Sequence, residues 1–232
     1  MSRSQRAFER RYQELLGELG ARDRSKGLAW FRQIASSSSL HREATSSRVH
    51  TELLIALLHK VHRFRARRGH SPGPGSCRVY CDAGLGGLAR WLRASGCEAL
   101  WTQDITDADL VREAQRANAT IITTDSPLLE RRAITHGQVR AIWVPPTLTI
   151  LEQLRLVQAE LALPDADLDS RCMRCGGELI EVDKESVKGR IPPRTYRWLD
   201  EFWQCRACGQ LFWNGTHWRH IRERLESQLP ST

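Results

Sequence analysis

Apolar positions along this chain follow two rhythms. In the first seventy residues they recur at helical spacing. Phe8, Tyr12, Leu15, Leu16 and Leu19 form one stripe over residues 5–20, which Gly20 can close. A second stripe runs from Val49 to Phe64 into a basic tail of Arg63, Arg65, Arg67 and Arg68, and Ser36 to Ser39 interrupts the pattern between the two. From Cys77 the rhythm changes. Short apolar runs at Arg78–Cys81, Glu98–Thr102, Ala119–Thr123 and Val139–Val144 alternate with helical stretches. Those stretches are Leu85–Ala94, Asp107–Ala117, Pro127–Thr135 and Thr149–Leu161, with Thr106 or Asp107 placed to cap the second. Such alternation predicts an α/β fold, a parallel sheet covered by helices on both faces.

Composition shifts divide the chain further. The stretch HSPGPGS over residues 70–76 holds two prolines and two glycines and cannot continue a helix. The expected organisation is a basic helical segment at 1–70, a linker at 71–76, an α/β domain at 77–164 and a small C-terminal unit at 165–226. The Leu-rich face of the first segment suits a core or a partner surface better than a site.

Charge adds a partner class. The net charge is +8, and residues 1–70 carry 15 Lys and Arg against 6 Asp and Glu, whereas the remainder carries 20 against 21. A concentrated basic segment favours phosphate contacts with a nucleic acid, although a solvated helix surface would look the same. The N-terminal helices are also candidates for binding a protein partner or a second copy. No run reaches the eighteen or so apolar residues of a membrane span, so no membrane role is expected.

The seven cysteines are odd in number. Cys172 and Cys175 form one C-x-x-C pair, and Cys205 and Cys208 form a second about thirty residues on. Each pair followed by glycine lets two thiolates turn onto one cation, and four complete a closed tetrahedral zinc site that folds its segment without performing chemistry. This usage fits a reducing compartment better than a disulfide framework, which points to the cytoplasm.

Acids supply the candidate chemistry. In an open parallel sheet, ligands bind at the carboxyl ends of the strands. Asp82 follows Val79-Tyr80-Cys81, and Asp125 follows Ile121-Ile122-Thr123-Thr124. Asp104 lies just past the second strand, and Asp107 and Asp109 open the next helix. Carboxylates gathered at one edge repel each other unless a hard dication such as magnesium or manganese sits among them. Plainer readings stand beside this one: Asp107 or Asp109 as a helix cap, Asp104 as a turn residue. Arg90 and Arg93, three apart on the helix leaving Asp82, could share a face and hold phosphate. The C-terminal unit interleaves Trp198, Phe202, Trp203, Phe212, Trp213 and Trp218 with Arg194, Arg197, Arg206 and Arg219, a mixture that suits stacking on unpaired RNA bases as well as a small core. His217 could meet a phosphate or serve in the fold.

These residues resemble the Mut-seven-C RNase family, a PIN-like nuclease domain followed by a zinc ribbon. The resemblance rests on Asp82 with Leu85-Gly86 and Leu88-Ala89-Arg90-Trp91-Leu92-Arg93, on Asp104-Ile105, and on Thr123 with Asp125. It continues through Lys184-Glu185, Gly189-Arg190-Ile191-Pro192-Pro193-Arg194, Asp200-Glu201-Phe202-Trp203 and Gly215-Thr216-His217-Trp218. It spans about residues 77–224 and not 1–76. It implies a PIN-like fold and metal-dependent cleavage of RNA, with tRNA or the ribosome among candidate partners. Asp82, Asp104, Asp107 and Asp125 take catalytic positions, with Asp82, Asp107 and Asp125 holding magnesium or manganese. Arg190, Arg194 and His217 join Arg90 and Arg93 as RNA contacts. Gly87 replaces an arginine usual in the first motif, and Pro127 stands where many PIN domains carry a further acid. A silent RNA- or ribosome-binding module and a zinc-ribbon DNA-binding regulator are the rival functions. Neither has a use for carboxylates converging on its ligand's phosphates.

Overall fold

In a strand, side chains alternate between faces, and β1 (Arg78–Cys81) shows what that sorting does here. Val79 and Cys81 enter one apolar cluster and Tyr80 the other. The same split divides Ile122 from Ile121 in β3 (Thr120–Thr123) and Ile142 from Ala141 in β4 (Ala141–Trp143). A sheet apolar on both faces must be covered on both. This computed structural model describes residues 3–37, 43–69, 77–163, 171–215 and 223. The expected linker at 71–76 lies outside them.

The strands, with β2 at Glu98–Trp101, run parallel in the order β2-β1-β3-β4. The chain steps outward from β1 to β2 and then crosses back over β1 to β3. One face is covered by α4 (Gly86–Ala94) and α7 (Ile150–Leu161) through Leu88, Leu92, Leu154 and Val157. The other is covered by α5 (Asp107–Ala117) and the segment around α6 (Arg132–Thr135) through Leu110, Val111 and Leu128.

Local chemistry sets the helix ends. Thr106 caps α5 by accepting from the Asp109 N–H, and Thr149 forms a reciprocal capping box with Glu152 at α7. The helix expected over Pro127–Thr135 is broken. A 3-10 turn spans Pro127–Glu130, Arg131 is extended, and α6 follows. The extended Arg131 pairs with Asp107 at 3.0 Å.

The N-terminal segment is three helices, α1 (Arg3–Glu18), α2 (Arg24–Ser37) and α3 (Glu43–Arg67). Phe8, Leu15, Phe31, Leu54 and Leu58 share one cluster with Leu156 of α7 and Ile142 of β4, so the Leu-rich face is core. Phe8 meets Trp143 edge-on at 5.2 Å. Charge pairing reinforces the seam: Arg11 grips buried Glu160 through two bonds of 2.7 and 2.6 Å, Arg155 reaches Glu52 and Arg48 reaches Glu152. Helix α2 has no counterpart in the sequence reading. Gly27 and its serines weaken the local signal, and burial of Leu28 and Phe31 supplies the stability instead.

The C-terminal unit is an antiparallel sheet in the order β5-β6-β7, at Leu179–Glu181, Phe202–Cys205 and Leu211–Trp213. Val187, Ile191 and Phe202 form its small core. Among its aromatics Phe202 is fully buried, whereas Trp198, on α8 (Pro193–Trp198), is 72% exposed.

One cysteine pair departs from the expected free thiols. Cys77 and Cys97 form a disulfide with Cα atoms 4.9 Å apart. Register explains it: Arg78 pairs with Glu98, so the residues preceding the two strands stand side by side.

Breaking a buried pair by removing one partner leaves an uncompensated charge. Arg11→Ala should therefore destabilise the protein by roughly 3 kcal/mol, since among the described residues the Glu160 carboxylate keeps only the longer contact to Arg140 at 3.8 Å. A urea titration should show the midpoint fall with the slope unchanged.

Candidate active site and metal centre

Where strand order reverses in a parallel sheet, the loops on either side leave toward opposite faces and open a crevice at the carboxyl edge. Here that place lies between β1 and β3. The Asp82 N–H donates to the Ile122 carbonyl at 2.9 Å, carrying the ladder one residue past β1. The sheet itself therefore fixes the backbone of Asp82. Each of its oxygens accepts one hydrogen bond and keeps a further lone pair: Oδ1 accepts from the Ala83 N–H at 2.7 Å, and Oδ2 from the Thr123 hydroxyl at 2.6 Å.

Thr123 is fully buried, so its hydroxyl must find its partners in the protein. A hydroxyl has one proton to give and two lone pairs. Thr123 gives the proton to Asp82 and accepts from the backbone N–H of Asp125 at 2.9 Å. One buried oxygen thus joins the two acid-bearing turns. The half-buried Asp125 carboxylate has no hydrogen bond or ion pair among the described residues.

The other acids stand differently. Asp104 is exposed, and its φ of +56° lies in the left-handed region, which Asp tolerates better than most side chains. Asp107 opens α5 and pairs with Arg131 across two solvent-exposed side chains. Asp109 is the capping partner: Thr106 donates to its carboxylate and Arg112 pairs with it, and these hold its pKa below the ordinary value. Among the described residues, no three carboxylates bring their oxygens together. The four cysteines alone form a group of that kind.

The arginines also separate. Arg90 is exposed on α4, but Arg93 does not share its face. At 5% exposure, Arg93 donates from Nε to the Ala99 carbonyl at 2.7 Å and from one terminal nitrogen to Arg174 and Met173 carbonyls at 2.8 and 3.3 Å. Residues three apart on a helix still differ by about 60° in direction. On a helix wedged between β2 and the C-terminal unit, that angle separates solvent from interior. Arg93 is thus a clamp between the two parts and is not available to RNA. Arg190 and Arg194 are exposed, and His217 lies outside the described residues.

The sulfurs of Cys172, Cys175, Cys205 and Cys208 all lie within 4.8 Å of one another, with close pairs at 3.7 and 3.4 Å. A zinc tetrahedron with bonds of about 2.3 Å requires sulfurs roughly 3.8 Å apart, so the donor set and its spacing fit. Burial pushes the Cys172 thiol up to about 12. A cation among the four sulfurs would offset that cost by favouring the thiolate. The Gly177 N–H points at Cys175 Sγ, and Gly176 with φ +83° turns the first knuckle against Arg93.

Native protein should contain about one zinc per chain by elemental analysis. Cys205→Ser should lose it together with the protection of β5–β7 amides from hydrogen exchange, since metal and folding are linked in such units.

Of three comparisons with known proteins, one agrees with this layout and two are silent. No curated protein and no solved structure matches the chain. A family model described as the Mut7-C RNAse domain matches residues 77–225, which takes in the parallel sheet, the Asp82 and Asp125 turns and all four zinc-type cysteines. On that match, over more than half of its length, the chain belongs to the Mut7-C RNAse domain family.

Proposed function

We propose that this protein is a PIN-like, metal-dependent ribonuclease that hydrolyses RNA phosphodiester bonds at the carboxyl edge of its parallel sheet. The observation that carries this reading is the Asp82–Thr123–Asp125 link at the strand reversal, in a chain of an RNase family. Magnesium and manganese are commonly held by one or two carboxylates, with water and substrate phosphate completing the shell. Asp82 and Asp125 fit that demand. Such a cation would neutralise phosphate charge and lower the pKa of attacking water.

The remaining roles follow from position. Thr123 aims the Asp82 carboxylate. Asp104 and Asp107 extend the acidic edge past β2, with Asp107 joining the metal set when Arg131 turns to substrate. Arg90 on the helix leaving Asp82 would meet the phosphate chain. Arg190, Arg194 and the exposed ring of Trp198 would hold single-stranded RNA, arginine on phosphate and indole on an unpaired base. RNA binding without cleavage is the competing reading. It draws support from the engagement of Asp107 with Arg131 and from the lack of a third converging acid among the described residues.

Asp82→Asn separates the two. The amide oxygen still accepts from Ala83, and the amide nitrogen can donate to a free lone pair of Thr123, so the turn should persist. Cleavage of single-stranded RNA in magnesium or manganese should fall at least about a hundredfold. RNA affinity without metal should hold or rise as an anion leaves the phosphate path. Equal cleavage by both proteins, or no metal-dependent cleavage by either, would hand the case to the binding module.

A further inference from the structure

The two outer strands of the parallel sheet end in the same residue type: β2 closes on Trp101 and β4 on Trp143. Each indole reaches inward to the turn of the central strand beside it. Trp101 Nε1 donates to the Ala83 carbonyl at 2.9 Å, in the turn that follows Asp82. Trp143 Nε1 donates to the Thr124 carbonyl at 3.1 Å, one residue before Asp125. With the order β2-β1-β3-β4, the acid pair is thereby bracketed from both sides of the sheet.

Each bond completes a grip already half made. Ala83 gives its N–H to Asp82 Oδ1 and receives Trp101 at its carbonyl, so both its polar groups are held. The peptide between Thr124 and Asp125 is held at both ends as well: its N–H donates to Thr123 and its carbonyl accepts from Trp143. A planar peptide pinned at both poles cannot swing, and this one carries the Cα of Asp125. The rings are themselves fixed. Trp101 lies so close over Gly86 that a Cβ there would come within 2.9 Å of it, and Phe8 of α1 packs edge-on against Trp143.

A tryptophan at a strand end could simply satisfy its N–H on the nearest carbonyl. What distinguishes these two is that both carbonyls belong to acid-bearing turns and that they are approached from opposite flanks. We propose that Trp101 and Trp143 are positioning residues for the acid pair, setting the spacing of the Asp82 and Asp125 carboxylates through the backbone. The assignment rests on the nuclease reading above. It also gives the N-terminal helices, which lie outside the family match, a route to the site through Phe8 and Trp143.

The test uses full-length protein carrying Trp101→Phe, Trp143→Phe or both. A second set replaces each tryptophan by β-(3-benzothienyl)alanine, which keeps the ring shape but has sulfur in place of the N–H. Gly86→Ala, whose helical backbone accepts alanine, crowds Trp101 without touching an acid. Free Mn2+ is measured by electron paramagnetic resonance, and kcat and KM on a single-stranded oligoribonucleotide. Each single change should weaken Mn2+ binding roughly tenfold and lower kcat more than it alters KM, with zinc content unchanged. The benzothienyl proteins should match the phenylalanine variants, and Gly86→Ala should match Trp101→Phe. Benzothienyl proteins with wild-type Mn2+ affinity and kcat would overturn the positioning role and leave the nuclease reading intact. Wild-type protein that neither binds Mn2+ nor cleaves would overturn both.

Discussion

Parallel pairing of β1 with β3 is the constraint from which the rest follows. Because the chain visits β2 between them, the turns after β1 and β3 leave toward opposite faces and their acids share the crevice between. The same pairing makes the sheet apolar on both sides. One side is covered by α5 and the segment around α6. The other needs α4 and α7, and α7 in turn packs against α3 and is tied to α1 through Arg11 and Glu160. The site geometry and the apolar outer side of α7 both trace to this one topology, and in this chain the N-terminal helices meet the second demand.

Much of this was legible in the sequence where a local rule and the tertiary demand coincide. The span Asp107–Ala117 agrees with the sequence reading, and the structure gives the cap, open between Thr106 and Asp107, to Thr106. The C-x-x-C pairs encode a metal geometry outright. Legibility ended where neighbours far apart in sequence decide. Arg93 reads like a surface arginine until the C-terminal unit folds over it and offers two carbonyls. The Cys77–Cys97 bond is invisible until β1 and β2 are in register. The sequence allows Thr123 either to orient Asp125 or to be a plain β-branched strand residue, and only the approach of Asp82 from the next strand makes its hydroxyl a link. Trp101 and Trp143 read as strand formers for the same reason.

Charge shows a related gap between sequence and structure. The basic excess of the first seventy residues suggests an open phosphate-binding surface. Yet Arg11, Arg32, Arg48 and Arg65 each meet a glutamate, at 2.6 to 2.7 Å in their nearest contacts. These pairs lock helix to helix and helix to α7, so part of the apparent excess serves cohesion. Exposed cations elsewhere include Arg90 on α4 and Arg190 and Arg194 in the C-terminal unit.

The seam between α7 and the N-terminal helices also bears on how a family is recognised. The matched segment begins at residue 77, yet Leu156 and Ile142 inside it share their apolar cluster with Leu54, Leu58 and Phe8 outside it. A boundary drawn by kinship and a boundary drawn by burial thus fall at different places in the same chain. Relatives that carry the matched segment without these three helices face the same exposed side of α7. Each must cover it with other chain, with a partner, or by making that surface polar. The outer face of α7 is therefore a surface whose covering the family match by itself does not specify.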